Sequence, residues 1–507
     1  MSAAATTRLG RLEGERSRRG LVFRGIPYAA PPVGALRFRS PEPAKPWSGT
    51  RPATRFGASA PQAGAQNFLV RRFAGAMART SEDCLTLNVW TPAADARRRP
   101  VLVFVHGGAF VMGSGSTLLY SGARLSERGD VVVVTMNYRL GALGSLALDG
   151  VLPDGHDAPA NLGLRDQLAA LEWVRMNADA FGGDPERVTA FGESAGAMSL
   201  GALLGAPRSR GLFRRAILQS GAAHNVSSLE QAQRVAEDFL ARLGEHGKSV
   251  AALRAAPLGE LLRAQAQTSL SLAMELGGLA FQPCVDGDVL PEHPSEALAH
   301  GAASDVGVLA GTNTEEWKLF MLGDSKARGM DEAGLRRRFA RVLGEAGAER
   351  AASAYARAQE SRAPEAPHER WSAFQSDRIF HGPAAQLLDG HAARARETYA
   401  YSFAWAPPLI GGRIGACHGI ELPFVFGAIL EPWLRPWLGA AGGARKLAHR
   451  VQEAWLAFAK TGHPGHAGLP YWPTYDTEKR QAMRLARSCR IQPDYGRRAL
   501  DFGRALA

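Results

Sequence analysis

Two short segments of this sequence carry residue types suited to attack on a carbonyl carbon. The first is Gly192-Glu193-Ser194-Ala195-Gly196, a G-x-S-x-G pattern. Gly and Ser are common, so a plain Gly-rich turn would also satisfy it; the setting is what gives it weight. A β-prone run, Val188-Thr189-Ala190-Phe191, leads into it, and a helix-forming run from Ala195 to Leu204 leads out. A serine on so tight a strand-to-helix turn presents its hydroxyl at the C-terminal edge of a sheet. Flanking glycines remove the Cβ atoms that would collide there, and the helix N-terminus behind favours negative charge. The second segment is His106-Gly107-Gly108-Ala109-Phe110, placed directly after Val101 to Val105. A Gly-rich loop after a strand can turn successive backbone N–H groups toward one point, as a developing oxyanion requires. Either segment alone could be structural, but both occur here in the order that acyl-transfer chemistry needs.

A serine hydroxyl is a poor nucleophile without a base, and the base needs an orienting acid. On an elbow of this kind the acid and the histidine follow the serine along the chain. Many Asp, Glu and His residues lie downstream of Ser194, so order alone leaves the pair open.

These groups need a rigid frame. Leu87 to Trp90, Val101 to Val105, Val131 to Thr135, Val188 to Gly192 and Val306 to Gly311 are short apolar runs that read as buried strands. Tyr399 to Trp405 alternates aromatic and small residues and reads as a further strand. Leu164 to Asn177 and Leu447 to Lys460 read as helices. Strands alternating with helices predict an α/β fold, a mostly parallel central sheet covered on both faces. The Pro- and Gly-rich stretch Phe23 to Gly34 reads as extended chain and turns. The regions of about 225–280 and 325–380 are helical in composition without legible chemistry, and are expected to be cap or lid insertions into a single domain spanning 1–507.

The bulk composition narrows the class. Apolar residues make up 46% of the 507 and charged residues 21%, as in ordinary globular proteins. The net charge of +12 comes almost wholly from arginine, since only seven of the 60 basic residues are lysine. The arginines are scattered, without the clustered face or motif of a nucleic-acid binder. They read as a solvated basic surface, and no nucleic-acid partner is expected. No apolar stretch approaches the roughly 18 residues of a membrane span, and the first twenty residues hold no signal-peptide core. Four cysteines, at 84, 284, 417 and 489, are no disulfide framework. A soluble cytoplasmic protein with no membrane partner is therefore expected.

At larger scale the chain resembles the type-B carboxylesterases, the family of bacterial para-nitrobenzyl esterases and cholinesterases. The resemblance runs from about Gly10 to Asp476 and rests on several specific blocks. Among them are FRGIPYAAPPVGALRF (23–38), SEDCLTLNVW (81–90), FGGDPERVTAFGESAGA (181–197), GTNTEEW (311–317) and GACHGIELPFVFG (415–427). It implies the α/β-hydrolase fold and selects the partners that chain order leaves open. The acid is then Glu316, with Glu315 as a neighbour, and the base is His418. The oxyanion donors are the backbone N–H groups of Gly108, Ala109 and Ala195, with Ala109 where many relatives have a third Gly. Glu193 and Glu421 are implied as a buried carboxylate network behind the site, and Ser220 as a second serine near the base. Two internal ion pairs are implied, Arg37 with Glu82 and Arg139 with Asp166.

Some features depart from the family. Cys84 lacks the upstream cysteine that secreted relatives pair with it, so that disulfide is expected to be absent. Trp317 stands where a Gly is common and is expected to shape the pocket. An aromatic-lined gorge is not evident from the sequence, and choline esters are not expected as substrates. The resemblance implies a serine esterase acting on small-molecule carboxylic esters through an acyl-enzyme, needing no metal or organic cofactor, as a monomer or small homo-oligomer. The alternatives are a lipase, an amidase or a carbamate hydrolase with the same triad. A non-catalytic adhesion module would lack one of Ser194, Glu316 and His418.

Overall fold

The computed structural model describes residues 3–63, 79–272, 278–327, 329–356, 366–395, 397–432, 434 and 442–506. Its frame is a sheet of thirteen strands. The N-terminal strands are β1 (Ala3–Thr7), β2 (Gly10–Ser17), β3 (Gly20–Pro27), β4 (Thr50–Pro52) and β5 (Thr86–Thr91). The central ones are β6 (Arg99–Val105), β7 (Val132–Met136), β8 (Gly183–Glu193) and β9 (Arg215–Gln219). β10 (Gly307–Asn313), β11 (Thr398–Phe403), β12 (Ala482–Leu485) and β13 (Arg490–Gln492) complete it. The order is β1-β2-β3-β5-β7-β6-β8-β9-β10-β11-β12-β13, with β4 beside β2. Pairing is parallel without interruption from β7 through β6, β8, β9, β10 and β11 to β12. This is the expected mostly parallel sheet, an α/β-hydrolase fold.

The apolar runs become interior strands because both of their faces are covered. Val101, Val103 and Val105 of β6 point into one core, with Leu168, Trp173 and Leu200. Leu102 and Phe104 point into the other, with Phe191, Phe426 and Trp455. This period-2 split is what a strand between two helical layers requires. The first layer includes α1 (Leu162–Asn177) and α2 (Ala195–Gly205), and the second includes α8 (Gly442–Thr461).

Phe23 to Pro27, read as extended chain, is part of β3, antiparallel to β5. β9, central to the sheet, is missing from the apolar runs singled out above. The described helices of the two expected insertions include α3 (Leu229–Ala241) and α4 (Leu258–Leu272) between β9 and β10, and α5 (Glu332–Ala354) and α6 (Pro367–Ser376) between β10 and β11. A further helix, α7 (Gly382–Ala392), precedes β11. Residues 273–277, 328 and 357–365 of those insertions lie outside the described residues. Among the described residues no helix is long and apolar enough to cross a membrane.

Candidate active site

Ser194 stands between β8 and α2 with φ 55° and ψ −127°. A non-Gly residue at positive φ is strained and persists only where its surroundings hold it. Here its N–H donates to the Gln219 carbonyl at the end of β9, 2.9 Å away, and its carbonyl accepts from Met198 N–H at 2.8 Å. The flanking glycines are required by close backbone approach. A Cβ on Gly192 would lie 2.6 Å from the Gly196 carbonyl carbon, and one on Gly196 would lie 2.8 Å from the His106 carbonyl oxygen.

The loop after β6 passes against this elbow: a Cβ on Gly107 would sit 3.0 Å from the Ser194 Cβ. Gly108, Ala109 and Phe110 all have positive φ, at 120°, 54° and 62°. Among the described residues the backbone N–H groups of Gly108, Ala109 and Ala195 make no hydrogen bond, so they are free to bind an incoming oxygen. His106 is a structural part of this turn. Its ring stacks on Tyr138, and burial pushes its pKa down to about 4, so it is neutral.

Glu316 lies in the turn after β10 and His418 in the loop of 415–421, and the two turns are stitched together. His418 N–H donates to the Glu316 carbonyl, Glu315 N–H to the Ala416 carbonyl, and Ala416 N–H to the Glu315 carboxylate. Glu315 also pairs with Lys318 at 2.6 Å, which makes it a brace of this loop. His418 Nδ1 lies 2.7 Å from Glu316 Oε2. The other Glu316 oxygen accepts from Ser220 Oγ at 2.5 Å and from Asn313 N–H at 2.7 Å. Glu421 accepts from Gln219 Nε2 and Asn313 Nδ2 at 3.0 and 2.6 Å. Glu193 Oε1 faces His418 Nε2 at 3.2 Å. The structure thus gathers Ser194, Glu316, His418, Glu193, Ser220 and Glu421 into one cluster. Among the described residues it forms no hydrogen bond between Ser194 Oγ and His418; Nε2 turns instead to Glu193.

The electrostatics follow from three buried carboxylates around one imidazole. Burial alone would lower the His418 pKa, but Glu193 and Glu316 outweigh it and push it up to about 9. Burial pushes Glu193 up to about 8, with Glu421 and Glu316 adding and His418 opposing. Burial also raises Glu421, helped by Glu316.

Sequence reasoning missed several residues here. Asn313 and Gln219 orient the carboxylates; Asn313 is legible only as part of the block 311–317, and Gln219 is given no role by the sequence. The site is also more aromatic than expected. Phe320 and Phe380 lie with ring centroids 5.3 and 4.7 Å from the His418 ring, and Trp317 packs on Phe320 at 4.6 Å. Phe110, Ala195, Met198 and Phe380 form one apolar wall, with Trp317 against it. The stretch around Phe380 carries no motif that could have placed it there. The implied ion pairs are present: Arg37 lies 2.5 Å from Glu82 and Arg139 lies 2.6 Å from Asp166. Among the described residues no group of three or more His, Cys, Asp or Glu side chains could hold a metal ion.

An elbow serine, a Gly-rich loop with free N–H groups and a carboxylate-bound histidine at one edge of a parallel sheet define a hydrolase of the α/β class. The chain belongs to the carboxylesterase family, whose model matches residues 1–502, and it is a carboxylic-ester hydrolase. It is 38% identical over 491 residues to the para-nitrobenzyl esterase of Bacillus subtilis, covering 96% of each chain. It is 37% identical over 470 residues to the phenmedipham hydrolase of Pseudarthrobacter oxydans, covering 90% of this chain and 89% of that one. The solved structure of a thermophilic PNB esterase superposes with a TM-score of 0.87 at 36% identity, covering 99% of this chain and 100% of that one.

Proposed function

We propose that Ser194, His418 and Glu316 are the catalytic triad of this carboxylesterase, and that the N–H groups of Gly108, Ala109 and Ala195 are its oxyanion hole. The observation that carries this reading is the 2.7 Å bond from His418 Nδ1 to a buried Glu316, beside a serine held at positive φ. His418 Nε2 takes the Ser194 proton as Oγ attacks the ester carbonyl. Glu316 holds the neutral imidazole in the tautomer whose Nε2 is unprotonated, and stabilises its charged form. The three N–H groups bind the oxyanion, where one donor is typically worth about 2.7–4 kcal/mol. His418 then protonates the departing alcohol. Water activated by the same nitrogen attacks the acyl-enzyme and releases the acid. No step calls on a metal or organic cofactor. Glu193, Ser220 and Glu421 shape the field and position of the base without touching the substrate.

In this reading the substrate is a small carboxylic ester, and the helices of 229–272 and 332–376 cap the single domain over it. The enzyme is bacterial and cytoplasmic, a monomer or small homo-oligomer. Its few cysteines, all four unpaired, support a reducing compartment. The test is Ser194→Ala assayed on a short-chain para-nitrophenyl ester. Hydrolysis is lost, and a variant keeping more than a few per cent of the parent rate would refute the assignment.

A further inference from the structure

Between α6 and α7, residues Asp377–His381 wind as a single π turn. Pro383 has no N–H to continue the α-helical ladder, and the wider turn absorbs that break. Consecutive residues of this turn reach the site from two sides: Phe380 lies on the His418 ring, and His381 lies under the turn that carries Glu316.

The hydrogen bonds of His381 fix its charge. Nδ1 lies 2.8 Å from Asp377 Oδ1, and Nε2 lies 2.8 Å from the Asn313 carbonyl oxygen. A carbonyl can only accept, and so can an ionised carboxylate. Asp377 is ionised: burial opposes its charge, but hydrogen bonding by His381 and the nearby Arg498 hold its pKa down to about 2. Both ring nitrogens must therefore donate, which makes the ring an imidazolium. Burial opposes this charge too, but Asp377 overcomes it and raises the His381 pKa.

The groups around the ring come from several elements. Arg498 lies 2.6 Å from Asp377 Oδ2, Tyr355 Oη donates to that oxygen at 3.0 Å, and the acid-turn side presents Glu316. The ring is 15% exposed and borders a cleft of about 1200 Å³ that Glu315, Lys318 and Glu369 also line, so solvent protons reach it.

The residue that His381 grips is the one that orients the acid. Asn313 donates its own N–H to Glu316 Oε1, and its side chain donates to Glu421 and to the Cys417 carbonyl beside the base. We infer that His381 is a positioning residue for ester hydrolysis: as an imidazolium strapped between Asp377 and the Asn313 carbonyl, it fixes the turn that presents Glu316 and places a positive charge behind the triad. The inference rests on the triad reading above.

The test compares His381→Gln and His381→Arg, with active sites counted by the para-nitrophenol burst from para-nitrophenyl diethyl phosphate. Absence of a stoichiometric burst in the parent enzyme defeats the triad itself, whatever residue 381 does. With the burst present, His381→Gln lowers kcat per active site about tenfold at unchanged KM, since displacing a catalytic group by about 1 Å can cost about a hundredfold. Loss of the positive charge also lets His418 hold its proton more tightly, so the acid limb of kcat/KM moves to higher pH. His381→Arg keeps a cationic donor and restores most of kcat and the parent limb. An unchanged His381→Gln overturns the inference. So does a slow one whose limb stays in place and whose Arg counterpart is no faster, because that marks packing alone. If the Gln variant does not fold, the Arg variant decides: parent-like kcat and limb support the inference, and their loss overturns it.

Discussion

The His418 ring lies between two carboxylates, and this sets its resting state. With Glu316 on Nδ1 and Glu193 on Nε2, the imidazole holds a proton well above its ordinary value of 6.5. A base must be neutral to act, so kcat/KM rises with pH through this raised ionisation. After the opposing effect of burial, Glu193 is the largest influence and raises it. Glu193→Gln therefore moves the acid limb of the kcat/KM profile to lower pH, toward the ordinary histidine range; a limb that stays put would contradict this electrostatic account. At this scale the proposed nucleophile and oxyanion loop could be read from sequence because their segments are local: strand, glycines and helix are contiguous. The proposed acid and base could not be read from spacing. They come from two distant turns, and only the resemblance to a known family selected Glu316 and His418 among many candidates. Phe380 and His381 escaped because a π turn, not a motif, brings them to the site.

Among the elements, α1 and the turn after β7 are joined by one buried ion pair. The Arg139 guanidinium meets both Asp166 oxygens, at 2.8 and 2.6 Å, and the Arg139 N–H adds a third bond at 3.0 Å. Their side chains are 3% and 0% exposed, so removing one partner leaves a charge without solvent. Asp166→Asn should cost about 3–5 kcal/mol in urea unfolding, with kcat per active site little changed. A loss under about 1 kcal/mol, the range of exposed pairs, would contradict the burial argument. The strands read correctly from sequence were those buried on both faces, such as β6 and β7, where continuous Val runs leave no ambiguity. β2 was missed because it lies toward the sheet edge and only Leu12 and Gly14 of its residues are buried. β9 was missed because Arg214-Arg215 opens it with charge, yet Arg215 is buried alongside its apolar neighbours.

The whole molecule uses its arginines differently from what the net charge of +12 suggests. A solvated surface was the expected place for most of them, with Arg139 expected inside; Arg99, Arg165, Arg215, Arg370 and Arg480 are buried as well. Even the Arg97-Arg98-Arg99 run is tied to Asp130, Asp184 and Asp95. The C-terminal helix α9 (Arg497–Leu506) shows how such pairs tie distant parts of the chain together. Its Arg498 holds the buried Asp377, and its Phe502 packs edge-on against Tyr355 and Phe374. Deleting α9 is expected to lower the urea midpoint and kcat together, because Asp377 anchors the turn beneath the acid loop. A truncated chain with the parent midpoint would show that the contact is superficial. The central claim is that one serine among many is the nucleophile. It is tested most directly by labelling the enzyme with a para-nitrophenyl organophosphate, digesting it and locating the adduct by mass spectrometry. The account predicts one phosphoryl group per chain, on the peptide carrying Ser194, and none in Ser194→Ala. Full inhibition with the adduct on another residue, Ser220 included, would contradict it.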